Sequence, residues 1–286
     1  MQETYLGKRS PAWWIQLSIY VFLIILAILF VFPFMWIVQT SLKSADEIYA
    51  TPPTWMPQEL TTNNYERLID SDAFISAMKN SLVAAGGTTI LCVSFSSLAG
   101  FGFAKYKFFG REVLFIIVLG SMMIPIVVTL VPNFLLMADL GLLNSLWAII
   151  LPSAITPFAV FWMRQYISTA IPDVLMEAAR LDGASELRIF LSVVRPIITP
   201  GLVSLSIWVF ILSWNDFIRP LVYLLEPSKF TLPVYLSTLR FSSSQFRIAL
   251  DLIAAASTLS TLPVVCFFLV SQRAFVSGAT AGAIRE

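Results

Sequence analysis

The sequence contains no histidine and only two cysteines among its 286 residues. The absence of histidine excludes histidine-based acid–base catalysis and histidine-ligated metal sites. Cys92 and Cys266 both lie within apolar runs, so the chain offers neither a disulfide framework nor a cysteine-cluster metal site. We therefore predict that the chain has no catalytic residues and no metal site of its own.

Charged residues are also scarce. They make up 12% of the chain, whereas 58% of the residues are hydrophobic and the mean hydropathy is +0.82. A soluble domain carries about 25% charged residues, so this composition excludes a disordered chain and disfavours a soluble domain. The net charge is +1 and no long run of like charge occurs, which argues against a nucleic-acid partner.

Long apolar runs dominate what is present. A helix needs about 20 apolar residues to cross a bilayer core about 30 Å thick. Six segments meet this length or come close to it, and they predict an all-α integral membrane protein with six transmembrane helices. The predicted spans are Trp14–Val38, Met78–Ala104, Val113–Met137, Trp147–Tyr166, Gly201–Phe217 and Leu252–Val270. The membrane domain then covers residues 14–272, between terminal segments 1–13 and 273–286.

The distribution of basic residues predicts the orientation in the membrane. Six spans place both termini on one side, and that side carries eleven of the 18 Lys and Arg residues, which leaves seven on the other. The cluster Lys105, Lys107 and Arg111 in the short second connection contributes most to this bias. Because cytoplasmic loops are enriched in Lys and Arg, both termini are predicted to be cytoplasmic.

Two features lie within the spans. Small residues recur at every fourth position of the second span, which predicts either close helix packing or a pore-lining face. The stripe comprises Asn80, Ala84, Thr88, Cys92, Ser96, Gly100 and Ala104. Prolines interrupt the third and fourth spans and predict kinks or breaks there. They are Pro125, Pro132, Pro152 and Pro157.

A polar group closes the fifth span. Asp216 and Arg219 are three residues apart and are expected to pair on a helix. Together with Trp214 and Asn215 they form either a structural cap at the membrane edge or a polar patch along a transport pathway. Ionisable residues are otherwise almost absent from the spans, which disfavours an ion-coupled carrier.

The longest connection on the predicted cytoplasmic side, residues 167–200, predicts two short helices. Asp173 is expected to cap the first, which ends at Asp182-Gly183 because glycine readily adopts a left-handed turn. The second is expected to run from Ser185 to Val194 and to end at Pro196, with apolar residues along one face. That face comprises Leu187, Phe190, Leu191 and Val194.

This connection resembles a known signature. Glu177-Ala178-Ala179, Asp182-Gly183-Ala184, Phe190, Pro196, Pro200 and Gly201 are similar in order and spacing to the EAA motif of permease subunits from binding-protein-dependent ABC importers. Trp214-Asn215-Asp216-Phe217 resembles the fifth helix of the maltose-type branch of that family, which takes up carbohydrates. The resemblance implies the type I ABC importer permease arrangement of six helices in a bacterial or archaeal cytoplasmic membrane.

The resemblance also implies partners and site residues. A second permease would complete the pathway, and two cytoplasmic ATPases would bind ATP and Mg²⁺, so this chain would hold no cofactor. Residues 167–200 would couple the chain to an ATPase through Glu177, Ala178, Ala179, Asp182, Gly183 and Ala184. An extracytoplasmic binding protein would contact the outer loops, about 40–77 and 220–248, including Arg240, Ser242, Ser243, Ser244 and Gln245.

Other functions remain open at this stage. An importer of the same class could carry a polyol, glycerol phosphate or an acidic oligosaccharide. A stand-alone channel or ion-coupled carrier would work without an ATPase, and a carrier would need buried ionisable residues. A membrane-embedded enzyme would need a polar catalytic cluster at membrane depth, for which the chain supplies few residues.

Overall fold

A computed structural model describes residues 13–240 and 249–283, with side chains for residues 13–240 and 249–272. Over these residues the chain is helical and contains no strand. The α-helices are Trp13–Ser41 (α1), Ala45–Ile48 (α2), Asn63–Ile69 (α3), Asp72–Lys105 (α4), Arg111–Ser121 (α5), Ile126–Asp139 (α6), Trp147–Ile150 (α7), Pro157–Ala170 (α8), Asp173–Leu181 (α9), Glu186–Ile189 (α10), Arg195–Trp214 (α11), Ile218–Tyr223 (α12), Leu232–Thr238 (α13) and Leu250–Ala283 (α14).

Four continuous helices are long and apolar enough to cross a membrane. They are α1, α4, α14 and the rod Glu186–Trp214, in which a π-helical segment, Phe190–Val194, joins α10 to α11. Two bent pairs pass the same test: α5 with α6, bent by 102°, and Trp147–Ser153 with α8, bent by 42°. The prediction of six spans is confirmed when each bent pair counts as one span.

Prolines account for both bends. Pro125 caps α6 with an extended backbone (ψ 137°), so α5 and α6 cannot form one straight helix. Pro152 lies in a 3₁₀ turn, and Pro157 begins α8, where a missing N–H costs nothing. Pro132 instead remains inside α6 without breaking it.

The prediction that Pro196 ends a helix running from Ser185 to Val194 is wrong. The rod continues through Pro196 to Trp214. Pro196 lies in the first turn of α11, directly after the π-helical segment. The wider π turn changes the hydrogen-bond pattern at that point, so the proline does not interrupt a regular α-helical ladder.

The π-helical segment also divides the apolar face that was predicted for the second short helix. Phe190 and Val194 are buried, whereas Leu187 and Leu191 are exposed. Ile189, which was not assigned to that face, is fully buried. The change in helical register at the π turn explains why a uniform α-helical periodicity misplaced these residues.

Helix α4 forms the centre of the bundle because its small residues admit neighbouring backbones. Ala84, Thr88, Cys92 and Ser96 are buried, and α4 packs along both α8 and α11. A Cβ atom on Gly100 would lie 2.7 Å from Cβ of Met163 and 2.8 Å from the backbone nitrogen of Arg164 on α8. These contacts favour the packing interpretation of the small-residue stripe.

Helix α1 lies at the edge of the bundle and packs against α14. Its most apolar 18-residue window has no buried residue, although the mean hydropathy of that window is 3.0. Such a surface is stable only in apolar surroundings. The exposed apolar helix therefore agrees with a chain that is embedded in a lipid bilayer.

Candidate functional site

The candidate site is α9 with the turn that follows it, at one end of the bundle. Pro172 caps the helix in an extended conformation, which corrects the prediction that Asp173 is the cap. Asp173 is instead the first helical residue, where its negative charge interacts favourably with the positive end of the helix dipole. The Asp173 carboxylate contacts Lys105, the last residue of α4.

Glycine closes α9 in a Schellman motif. Gly183 has φ +76°, its N–H donates to the carbonyl of Arg180 at 3.0 Å, and the N–H of Ala184 donates to the carbonyl of Ala179 at 3.1 Å. These two bonds define the motif and satisfy carbonyl groups at the helix end. The predicted end of the helix at Asp182-Gly183 is confirmed.

The two faces of α9 differ in exposure. Met176 is buried in the core and Ala179 packs against it, so this face holds the helix on the bundle. Glu177, Ala178 and Asp182 are exposed on the other side. Three of the six predicted coupling residues therefore present side chains to solvent, whereas Ala179 packs against the core.

Large apolar side chains share the exposed surface, and Val174 and Leu181 are the most exposed of them. Val174 is 72% exposed and Leu181 is 89% exposed. Sequence analysis did not single out either residue, because an apolar residue on an amphipathic helix is normally assigned to the buried face. Their exposure beside Glu177 gives α9 the mixed apolar and charged character of a protein interface.

Helix α4 holds the N-terminal end of α9. The Lys105 Nζ donates to the backbone carbonyl of Ile171, where α8 ends, and to Oδ1 of Asp173 at 2.7 Å. The Lys105 side chain is only 7% exposed. Its hydrogen bond lowers the pKa of the Asp173 carboxyl below the usual value.

A second set of contacts holds the C-terminal side of α9. Glu186 accepts hydrogen bonds from the Tyr106 hydroxyl and from Nε of Arg180, the latter at 2.8 Å. Burial and the bond to Glu186 raise the pKa of Tyr106 to about 12. The bond to Glu186 also raises the pKa of Arg180. The contact between Tyr106 and Glu186 was not predictable because the two residues are 80 positions apart and share no motif.

The polar group after α11 is paired internally. Arg219 Nε lies 2.7 Å from Oδ2 of Asp216, as predicted, and Arg219 also donates to the Ser153 hydroxyl. Asn215 donates to the carbonyl of Ile211 at 2.8 Å. Trp214 is buried and stacks on Phe210, with ring centroids 5.7 Å apart. The four predicted residues therefore lie close together, and the side chains of Asn215, Asp216 and Arg219 are bonded to neighbouring groups.

The other predicted contact region is only partly described. Arg240 is exposed, directly after buried Leu239 near the end of α13. Ser242, Ser243, Ser244 and Gln245 lie outside the described residues. Within the described ranges, no three Cys, Asp or Glu side chains come together as a metal-binding group.

The fold and sequence resemble those of known transport proteins. The chain is 34% identical over 282 residues to the arabinooligosaccharides transport system permease protein of Bacillus subtilis, covering 97% of this chain and 99% of that protein. It is 32% identical over 268 residues to the diacetylchitobiose uptake system permease protein of Streptomyces coelicolor, covering 92% and 94% of the two chains.

A solved structure shares the helical arrangement. A chain of a bacterial ABC transporter involved in the import of the acidic polysaccharide alginate matches with a TM-score of 0.81 and 24% identity, covering 93% of this chain and 98% of that one. Residues 93–280 match the family model for the inner membrane component of binding-protein-dependent transport systems. The chain is therefore a multi-pass membrane protein that belongs to the family of binding-protein-dependent transport system inner membrane components.

Proposed function

We propose that this chain is a permease subunit of an ATP-driven importer for an oligosaccharide that an extracytoplasmic binding protein delivers. The family assignment supports transport that depends on a binding protein. Relatives that match over more than nine-tenths of the chain carry names that specify arabinooligosaccharides and diacetylchitobiose. Those names support an oligosaccharide as the cargo.

The chain would work within a larger assembly. A second permease would complete the pathway through the membrane, and two ATPase subunits would bind ATP and Mg²⁺ and carry out hydrolysis. The end of the bundle that carries α9 would face the cytoplasm together with both termini, as the Lys and Arg bias predicts. The opposite end, which includes α3 and α13, would face the binding protein.

The exposed surface of α9 is the observation that carries this proposal. The exposed face of α9 carries apolar and acidic side chains, those of Val174, Glu177 and Leu181. The opposite face is anchored in the core by buried Met176. A cleft on an ATPase with apolar and basic residues would complement it. ATP-driven closure of the ATPases would displace α9 and shift the bundle between inward-facing and outward-facing states.

Arg164 and Arg219 are the basic residues that the sequence offers as contacts for an anionic cargo. Arg219 is 15% exposed and is paired with Asp216, so it is not available as a receptor for an anion. Arg164 lies over the ring of Phe115, with Cζ 3.9 Å from the ring centroid. Arg219 is therefore disfavoured as a contact for an acidic oligosaccharide or glycerol phosphate, whereas Arg164 keeps its charge. A polyol is disfavoured by the names of the relatives.

The decisive experiment measures ATP hydrolysis by the complete complex in nanodiscs with its binding protein and a panel of neutral and acidic oligosaccharides, polyols and glycerol phosphate. A neutral oligosaccharide should stimulate hydrolysis, and Glu177→Ala should abolish this stimulation while the ATPases remain bound. Glu112→Ala, at an exposed glutamate near the same end of the bundle, is the matched control. Uptake by this chain alone without ATP would instead support a channel or carrier.

A further inference from the structure

Two adjacent residues at the C-terminal end of α4 make contacts at the two ends of α9. Lys105 binds Asp173, the first residue of α9. Tyr106 binds Glu186, which is itself paired with Arg180 in the last turn of α9. Both ends of α9 are therefore joined to the same short stretch of chain at the end of α4.

The Lys105 contact joins three helices. The ammonium group reaches the carbonyl of Ile171, one of the acceptors that the end of α8 leaves without a helical partner. A cation at that position is also favoured by the negative end of the α8 dipole. Because the Lys105 side chain is only 7% exposed, water competes weakly for its bond to Ile171, whereas the bond to Asp173 lies at the surface, where the carboxylate is 81% exposed.

The Tyr106 contact adds an aromatic support. The Tyr106 ring lies edge-on to Phe101 with centroids 5.3 Å apart, and Phe101 packs against Phe190 at the same centroid distance. The Arg180 guanidinium lies above the Tyr106 ring, 5.9 Å from its centroid. Helices α4 and α9 and the start of the rod that contains α11 are thus joined through one aromatic side chain.

Helix α4 is suited to carry a displacement into the membrane. Its stripe of small residues is largely buried, α4 packs along α8 and α11, and the backbones of α4 and α8 approach so closely at Gly100 that no side chain would fit there. Closely packed helices move as units because the interior does not deform continuously. A movement of α9 that is transferred to Lys105 and Tyr106 would therefore move the centre of the bundle.

We propose that Lys105 and Tyr106 are positioning residues that form a two-point clamp, transmitting the displacement of α9 to α4 during transport. This proposal rests on the proposed function, because it assigns the route by which the ATPases act on the pathway. Without the clamp, α9 would still bind an ATPase through its exposed face. Its movement would then reach the bundle only through buried Met176 and the connections that flank α9, so less of it would be passed to α4.

The test is the number of oligosaccharide molecules taken up per ATP hydrolysed, measured in proteoliposomes that contain the complete complex. Lys105→Met and Glu186→Gln should each lower this ratio by about fivefold or more, while hydrolysis continues and the ATPases remain bound. Lys105→Arg should retain most of the ratio because it keeps the cation. Glu112→Gln is the control, since it removes the exposed Arg111–Glu112 ion pair near the same end of the bundle without touching α9.

Tyr106→Phe keeps the aromatic packing and removes only the hydroxyl. It therefore tests the clamp even if the Lys105→Met complex fails to assemble. A lowered ratio in Tyr106→Phe and Glu186→Gln supports the clamp. An unchanged ratio in both variants, with the wild-type complex coupled normally, overturns the clamp and leaves the proposed function intact. Absence of ATP-driven uptake in the wild-type complex would instead contradict the proposed function itself.

Discussion

Gly100 on α4 and Met163 on α8 bring two helix backbones into direct contact, since a Cβ on Gly100 would lie 2.7 Å from Cβ of Met163. Gly100→Ala should therefore lower the free energy of unfolding by about 1–3 kcal/mol, because the added methyl group overpacks a closed contact. Thermal unfolding of the purified complex in detergent measures this change.

The same helix supplies the control. A Cβ added to Gly102 would meet no neighbouring atom within 4 Å, so Gly102→Ala should stabilise the helix by about 0.5–1 kcal/mol. Equal destabilisation by both substitutions would show that α4 and α8 do not approach at Gly100 as described.

Gly183 should be replaceable only by residues that tolerate a left-handed backbone. Its φ is +76° and no neighbouring atom blocks a side chain, so the backbone conformation alone limits substitution. Gly183→Val should cost about 1–3 kcal/mol of local strain and impair coupling, whereas Gly183→Asn should retain it. Substrate-stimulated ATP hydrolysis by the two variants distinguishes the effects, and equal activity would contradict a role for the Schellman turn.

Hydropathy and local turn chemistry predicted much of this architecture. The six apolar segments correspond to four continuous helices and two bent pairs, because burial in lipid requires long apolar runs whatever the tertiary contacts are. The end of α9 at Gly183 was predictable for the same kind of local reason, since a left-handed residue strongly favours glycine.

Contacts between distant residues were not predictable from one sequence. Lys105 and Asp173 are 68 positions apart, and Tyr106 and Glu186 are 80 positions apart, with no periodic pattern connecting them. The continuation of the rod through Pro196 also escaped prediction, because a π turn has no simple sequence signature. Both failures concern tertiary packing at the end of the bundle that carries α9.

Replacing one member of the Asp216–Arg219 ion pair should lower the stability more than replacing both members. Arg219→Gln would leave the largely shielded Asp216 carboxylate without its partner, at a cost of about 1–3 kcal/mol. Asp216→Asn combined with Arg219→Gln should recover part of that loss. A double-mutant cycle on thermal stability measures the coupling. Strict additivity of the two substitutions would contradict the pairing.

The exposed leucine of α9 should contribute to assembly and little to folding. Leu181 is 89% exposed, so Leu181→Ser should leave the stability of the isolated permease pair almost unchanged. Its affinity for the ATPases should fall by about tenfold, which corresponds to about 1.4 kcal/mol. Leu225→Ser is the control, because Leu225 is 66% exposed in the segment between α12 and α13. Unaltered ATPase affinity in Leu181→Ser would remove Leu181 from the interface.

Tyr106 should resist ionisation at high pH. Burial first and the bond to Glu186 second raise its pKa from 10.0 to about 12, so the stability that depends on the protonated hydroxyl is fully present below pH 10.0 and is lost as the pH rises through about 12. Tyrosinate absorbance at pH 10 should therefore be equal in the wild type and in Tyr106→Phe. If the wild type instead showed more tyrosinate absorbance, by half of one tyrosine's contribution, Tyr106 would have an ordinary pKa, which would contradict the burial and hydrogen bonding described for it.

The most direct test of the account uses proteoliposomes in which the complete complex has a known orientation. With binding protein and oligosaccharide on the side of α3 and α13, ATP supplied on the side of α9 should drive accumulation of the sugar against its gradient, and Glu177→Ala should abolish that accumulation. Accumulation that proceeds without ATP, or that requires ATP on the opposite side, would contradict the assignment of α9 as the site where ATP hydrolysis is coupled to transport.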